Sequence, residues 1–467
     1  MEFDLVILGA GSGGYEAGLY AFRRGLKVAF VELSPETIGG NCLNKGCIPS
    51  KYMRHGAYII EKIRCAKRYG IDIEGGYSIN FKELVKNRDK VVLTIRENFK
   101  KFAKQLGIPI FYGKGVIKDK DTIFIEGEEK KILCRNIIIA TGSSPSEVEG
   151  IEADSKYVFN TDQIWEIDYV PSNLLIVGGG AAGVEFAYIF NAYGSKVTLV
   201  ELKERILPIP GIPEDTSRYL SRKLSRIGVD VRVNTKVEKL VKEGGKVKAI
   251  LSDNTEILCD LILVTVGRKP NTLGIGLENV GILTDKRGFI VVDEYCRTPI
   301  KNIYACGDVT SPLMLAHKAM YEGKIAVNHI LGNKGWRRNE KLMPKIIYSA
   351  LEVASVGLTE DEAEELGYEP VVGVASFVSN PKAMDDSENE GFVRIVADGE
   401  RGDILGCHIC GPHAGELIHQ LVHIMKAGMK YDFLAESIFA HPSLSEAVGY
   451  SAMEIKFGPI TWVKRRV

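Results

Sequence analysis

A glycine-rich strand–turn–helix–strand unit that occurs twice, and a change of pattern after Trp336, predict an α/β chain of two Rossmann-like nucleotide-binding domains followed by an α+β domain. The first unit spans residues 3–32. It opens on the apolar run Phe3–Leu8 and carries Gly9, Gly11 and Gly14 just ahead of a helical pattern. The second spans residues 173–201 and carries Gly178, Gly180 and Gly183. In each unit an acid stands 23 residues after the first glycine, Glu32 in one and Glu201 in the other. Glycine at these positions lets backbone approach a pyrophosphate, and the helix start offers free N–H groups and a positive dipole end. The acid can accept hydrogen bonds from a ribose diol. Two such units predict two bound dinucleotides.

The remaining elements follow in order. Residues 50–104 carry helically spaced apolar positions among many charges, so they are expected to be helical. Residues 108–139 alternate in short runs, which predicts antiparallel strands ending at Ile137-Ile138-Ile139, before Ala140-Thr141-Gly142-Ser143. Short strands are expected again over 229–266. Ile303-Tyr304-Ala305 precedes Gly307-Asp308 and a helix near 315–330. After Trp336, strands are expected at about 345–357, 370–378, 391–397 and 403–410, with helices at about 359–366 and 414–428. The predicted domains are residues 1–145 (completed by 268–335), 146–267 and 336–467.

Composition narrows the function. The chain has 467 residues, 45% of them hydrophobic, with 60 basic and 60 acidic side chains. That balance gives no reason to expect a nucleic-acid or anionic-membrane partner. No apolar stretch reaches the roughly 18 residues of a membrane span. The first strand starts almost at Met1, with no secretory pattern before it, so a cytoplasmic location is expected. Nine cysteines are too few, and odd in number, for a secreted disulfide framework. Cys407-His408-Ile409-Cys410 lacks a second Cys-x-x-Cys and sits in an apolar strand, where positions three apart face opposite ways. It is read as packing, and no metal is expected. Cys65, Cys134, Cys259, Cys296 and Cys306 are read as small core residues. His317, His408, His413, His419 and His423 are read mostly as packing or capping groups, with His317 near the first nucleotide. Glu201 would repel a 2′-phosphate, so the second site should prefer NAD(H) to NADP(H).

Cys42 and Cys47 are different. They lie in Gly39-Gly40-Asn41-Cys42-Leu43-Asn44-Lys45-Gly46-Cys47-Ile48-Pro49-Ser50-Lys51. A helical or tightly coiled segment brings thiols at this spacing within bridging distance. Two thiols held so close form a redox couple: one thiolate attacks an external disulfide and the other resolves the mixed disulfide. Two buried structural cysteines are the alternative. Their position just after the first nucleotide unit, beside Pro49 and Lys51, favours the redox reading.

This run closely resembles that of the flavin disulfide reductases, a family that includes dihydrolipoamide dehydrogenases, glutathione reductases and mercuric reductases. The resemblance covers the whole chain, and the motifs are most similar to the dihydrolipoamide dehydrogenase branch. It implies FAD in the first nucleotide domain, NAD in the second and a dimerisation domain at the C-terminus. Cys47 would face the flavin as a thiolate and Cys42 would face substrate. Lys51 and Glu185 would pair beside the flavin. Asp308 would hold the ribityl chain, and the helix starting near Met314 would point its positive end at the reduced ring. The FAD site would further include Asn41, Gly115, Thr141, Gly142, Ser143, Leu315, Ala316 and His317. The NAD site would include Val237 and Gly267.

His441 would be the general acid–base, oriented by Glu446 in the sequence His441-Pro442-Ser443-Leu444-Ser445-Glu446. In the family the C-terminal domain supplies this histidine to the neighbouring subunit, so a homodimer is implied. The activity implied is NAD-dependent oxidation of dihydrolipoamide. The partner implied is a lipoyl-bearing acyltransferase or a glycine-cleavage carrier protein.

Some positions depart from the family. Asn41 and Lys45 stand where Thr and Val are usual. Lys45 either lowers a thiol pKa or points into solvent. Arg54 stands where lipoamide-using relatives are often apolar; if it lines the cleft, it raises the alternative of a small anionic disulfide. A flavoprotein oxidase or assembly subunit without disulfide turnover is the other alternative. Leu202 and Pro208 occupy positions that are basic in glutathione reductases, and Ala181 replaces their gating tyrosine. The chain ends Trp462-Val463-Lys464-Arg465-Arg466-Val467, without the cysteine pair of mercuric reductases.

Overall fold

The computed structural model describes residues 2–127 and 130–458; the C-terminal run Trp462–Val467 lies outside them. The first sheet has seven strands. Glu2–Leu8 lies at its centre, parallel to both Val28–Glu32 and Lys130–Ile139. These central strands are covered on both faces, which is why they read as continuous apolar runs. Besides Glu2–Leu8, Lys130–Ile139 serves two further partners. Its first residues pair antiparallel with Thr122–Ile125, and its last three run parallel to Ile303–Ala305. The expectation of antiparallel strands over 108–139 is thus correct only in part. Ile110–Tyr112 runs parallel to Val28–Glu32, because the chain returns to that sheet edge through a helix rather than a hairpin.

The helices fall in chain order. α1 (Ser12–Arg23) follows the first glycine turn. α2 (Gly40–Lys45) and α3 (Cys47–Cys65) are separated by Gly46, whose φ of −142° and ψ of −110° break the helix between the two cysteines. α4 is Phe81–Gln105. The stretch 50–104 is therefore two helices, with a loop over 70–80 where Gly70, Gly75 and Gly76 take left-handed φ. α5 (Ala181–Ala192) follows the second glycine turn, and α6 is Glu214–Arg226. α7 (Ala316–Ile330) packs on α1. The two approach closely because each has glycine at the crossing: a Cβ on Gly323 would lie 2.7 Å from the Gly13 carbonyl oxygen.

The second sheet is parallel, in the order 230–232, 196–200, 173–177, 261–264, 158–160. A three-stranded antiparallel meander over 237–259 covers it. The third sheet is antiparallel, in the order 345–348, 352–357, 404–411, 392–398, 370–376. Around it lie α8 (Glu360–Glu365), α9 (Pro381–Asp385), α10 (Ala414–Ala427), α11 (Tyr431–Ala435) and α12 (Glu446–Phe457). α9, α11 and α12 are absent from the sequence reading. α12 carries Gly449 in its interior, a poor helix former. Packing overrides that propensity: a Cβ on Gly373 would lie 1.9 Å from Ser451 O, so this helix and strand 370–376 touch backbone to backbone.

Cys134, Cys259, Cys296, Cys306, Cys407 and Cys410 are buried, as expected; Cys65, at the end of α3, is partly exposed instead. Among the described residues no helix is long and apolar enough to cross a membrane, and no cluster could hold a metal ion.

His408 is fully buried in strand 404–411, with Nδ1 3.1 Å from Ser355 Oγ and Nε2 3.0 Å from Leu358 O. Burial takes its pKa from 6.5 to about 3. The fold therefore stabilises the neutral ring, fully above pH 6.5 and progressively less as pH falls towards 3, by on the order of 1 kcal/mol per pH unit. Melting temperatures between pH 6.5 and 4.5 should fall less steeply for His408→Gln than for the parent chain.

Candidate active site

A cleft of about 1470 Å³ opens along the carboxyl edge of the first sheet. Its walls include Gly9, Gly11 and Gly13 of the first turn, Glu32, Asn41, both cysteines, Gly115, Thr141–Ser143, Asp308, Met314 and Ala316. Leu315 instead supplies the N-cap of α7, and His317 turns its Nε2 to within 2.8 Å of Pro344 O. Neither is among the cleft-lining residues. His413, His419 and His423 are exposed, so only His408 of the packing histidines is a core group.

The two glycine turns are built alike. A Cβ on Gly14 would lie 1.9 Å from Gly9 O, and one on Gly183 1.9 Å from Gly178 O. Gly9 and Gly178 have φ of +99° and +107°. α1 and α5 start at Gly11 and Gly180 with no side chain capping them, so their first N–H groups are open to a ligand. The acids also hold the turns themselves. Ala10 N–H donates to Glu32 Oε2 at 2.5 Å, and Gly179 N–H donates to Glu201 Oε2 at 2.6 Å. Each carboxylate braces the middle residue of its own glycine turn. Burial raises the Glu32 pKa, and hydrogen bonds from Ala10, Thr37 and Leu33 oppose it. Val237 begins the meander, half-buried, and Gly267 holds φ at +115° at the end of the second unit.

The thiols of Cys42 and Cys47 meet across the Gly46 break. Cys47 donates to Cys42, which takes the Cys42 pKa to about 7; burial opposes this, while Ser12, the Cys47 N–H and Lys51 add to it. Cys47 is pushed up because it holds the shared proton and its thiol is partly desolvated, although Lys51 pulls it down. The pair thus gives up one proton easily and the second with difficulty.

Lys51, one turn into α3, places Nζ 3.0 and 2.8 Å from Glu185 Oε1 and Oε2. Arg54 does not face the cleft. Its Nη2 lies 2.9 Å from Glu352 Oε1, and Glu352 is only 8% exposed. The guanidinium already has its carboxylate, which removes the support it gave to an anionic disulfide. Lys45 is half-exposed and 3.8 Å from Asp162, so it meets another acid rather than a thiol.

Asp308 is held by Ser143 Oγ at 2.6 Å, and Ser143 O accepts from Asn41 Nδ2 at 2.6 Å and from Arg268 Nη2 at 2.9 Å. Behind Asp308, the buried Glu322 accepts from Gly307 N–H at 2.8 Å and pairs with Lys318 at 3.1 Å and Arg338 at 2.8 Å. Arg268, Lys318, Glu322 and Tyr348 escaped the sequence reading. Each acts on a motif or site residue distant from it in sequence; only the Lys318–Glu322 spacing of four, on one helix, was a local signal.

His441 is 67% exposed, with Nδ1 2.9 Å from Glu446 Oε1. Glu446 opens α12 and also accepts from Ser443 N–H at 2.8 Å. Its pKa is lowered: burial raises it, but the bonds from His441 and Ser443 outweigh that. His441 lies outside the cleft lining of its own chain.

Residues 3–323 match the family model described as pyridine nucleotide-disulphide oxidoreductase. Residues 343–452 match the dimerisation domain of the same family. The chain belongs to the pyridine nucleotide-disulphide oxidoreductase family. It is 38% identical to the dihydrolipoyl dehydrogenase of Bacillus subtilis, over 97% of this chain and 98% of that protein. Among solved structures it is similar to LpdA of Mycobacterium tuberculosis, at 25% identity and a TM-score of 0.89, covering 96% of this chain and 99% of that one. It is also similar to the flavoprotein disulfide reductase RclA of Escherichia coli, at 26% identity and a TM-score of 0.87, covering 97% and 100%. The chain is thus a flavin-dependent oxidoreductase that uses FAD and NAD, and the uncapped helix starts, the glycine cradles and the open cleft fit both groups.

Alkylation of the reduced protein tests the shared proton. Iodoacetamide should label Cys42 before Cys47, with a rate that is half-maximal near pH 7. A rate that rises only above the ordinary thiol range would contradict the geometry.

Proposed function

We propose that the protein oxidises dihydrolipoyl groups with NAD⁺, using Cys42 and Cys47 as the redox couple. The observation that carries this reading is the proton-sharing thiol pair in the wall of the cleft, beside Lys51. In its oxidised state the pair is a disulfide. A substrate thiolate attacks Cys42 Sγ, the Cys42–Cys47 bond breaks, and Cys47 leaves as a thiolate. The second substrate thiol gives its proton to His441 Nε2 and attacks the first substrate sulfur, breaking its bond to Cys42 Sγ. The cyclic disulfide leaves and Cys42 is released as a thiolate, so two electrons have entered the protein pair. FAD and NAD⁺, when bound, supply the acceptors that return the pair to the disulfide.

Lys51 lowers the cost of each thiolate, and Glu185 fixes its ammonium. Glu446 holds the His441 ring so that Nε2 is the nitrogen left to take the proton. FAD is assigned to residues 1–145 completed by 268–335, NAD to 146–267, and dimerisation to 336–467. His441 acts on the thiols of a second copy, making the homodimer the working unit. A lipoyl-bearing acyltransferase or glycine-cleavage carrier protein is the partner, in the cytoplasm.

The test is NADH formation from dihydrolipoamide and NAD⁺. Turnover should vanish in Cys47→Ser and fall on the order of 10²–10⁴-fold in His441→Ala. NADP⁺ should not replace NAD⁺. A protein whose flavin is reduced by NADH but which does not oxidise dihydrolipoamide overturns the substrate assignment.

A further inference from the structure

α3 places Cys47, Lys51, Arg54 and Tyr58 at spacings of four, three and four, so the four share one face. Lys51 holds Glu185 of α5. One turn on, Arg54 repeats the device with Glu352 of the third sheet, their side chains 21% and 10% exposed. The other Glu352 oxygen accepts Gly415 N–H at 3.2 Å, which ties the pair to the start of α10. Tyr348 lies between the two cations. Its ring centroid is 4.7 Å from Lys51 Nζ and 5.9 Å from Arg54 Cζ. Its backbone N–H donates to Glu185 Oε1 at 3.0 Å. One residue therefore touches both members of the Lys51–Glu185 pair.

We propose that Arg54 is a positioning residue for Lys51 and Glu185, acting through Tyr348 and Glu352. The inference rests on the assignment of Lys51 and Glu185 to a place beside the flavin. Glu185 takes one of its hydrogen bonds from a strand of another sheet, so its direction depends on where that strand sits. The Arg54–Glu352 pair sets that place. A shielded ion pair is a weak source of stability, because both charges lose water. Arg54 even leaves its Nε buried without a hydrogen bond, at further cost. What the pair contributes is a fixed distance between α3 and the strand carrying Tyr348. The ammonium of Lys51 is then held against one carboxylate and one ring rather than free to swing.

The holoenzymes to compare are the parent, Arg54→Met, Arg54→Lys and the double variant Arg54→Met/Glu352→Met. The double variant removes both charges and guards against simple misfolding of the single one. Anaerobic mixing with NADH, followed by flavin absorbance, should show reduction about tenfold slower in Arg54→Met and in the double variant. Arg54→Lys should recover part of the rate. The flavin midpoint potential should shift in both methionine variants, which a purely structural role would not produce. A folded double variant with bound flavin, the parental reduction rate and the parental potential overturns the proposal. Reduction by NADH requires no disulfide substrate, so failure of the lipoyl assignment would leave these outcomes readable.

Discussion

Helix α3 is the part on which the rest of the site depends. It starts at Cys47 because Gly46 breaks it from α2, and the break lets two thiols five positions apart in sequence share a proton. Its N-terminus favours negative charge at the pair. Successive turns of one face are then held from elsewhere in the chain: Lys51 by Glu185, Arg54 by Glu352, and Tyr58 and Lys62 by Glu388. Exposed ion pairs contribute little, but these are partly shielded and tie α3 to α5, to the third sheet and to the loop that carries Glu388. Their effect is to fix where the thiols stand relative to both nucleotide units.

The two glycine turns solve one problem in the same way. Backbone must approach an anionic ligand closely, and a loop of small residues is poorly held by packing alone. Glu32 and Glu201 supply the missing restraint through the N–H of Ala10 and Gly179. Each acid thus restrains the loop that it follows by 22 residues. The same economy holds at Asp308, whose turn is fixed from behind by Glu322, Lys318 and Arg338.

Local features were legible in the sequence. The glycine turns, their acids, the Cys42–Cys47 run and the His441–Glu446 spacing all lie within single segments, and each is where its local pattern implied. What could not be read was set by partners distant in sequence. Whether Arg54 lines the cleft was open in the sequence, because its partner Glu352 lies 298 residues away. The Cys42–Cys47 proton depends on Ser12 and on the break at Gly46. Ile110–Tyr112 read as an antiparallel strand and is a parallel edge strand, since periodicity gives a strand but not its neighbour. α12 was hidden because its buried residues are small and its stability comes from the sheet beneath.

Within one chain the thiol pair and the exposed His441 belong to different surfaces, and only a second copy would bring them together. Mixed dimers decide this. Subunits bearing Cys47→Ser and subunits bearing His441→Ala are each inactive or nearly so as homodimers. When the two are denatured together and refolded with cofactor, the mixed dimer should regain one working site, and so about half the parental activity per dimer. Mixed dimers with no more dihydrolipoamide oxidation than the His441→Ala homodimer would contradict the shared site.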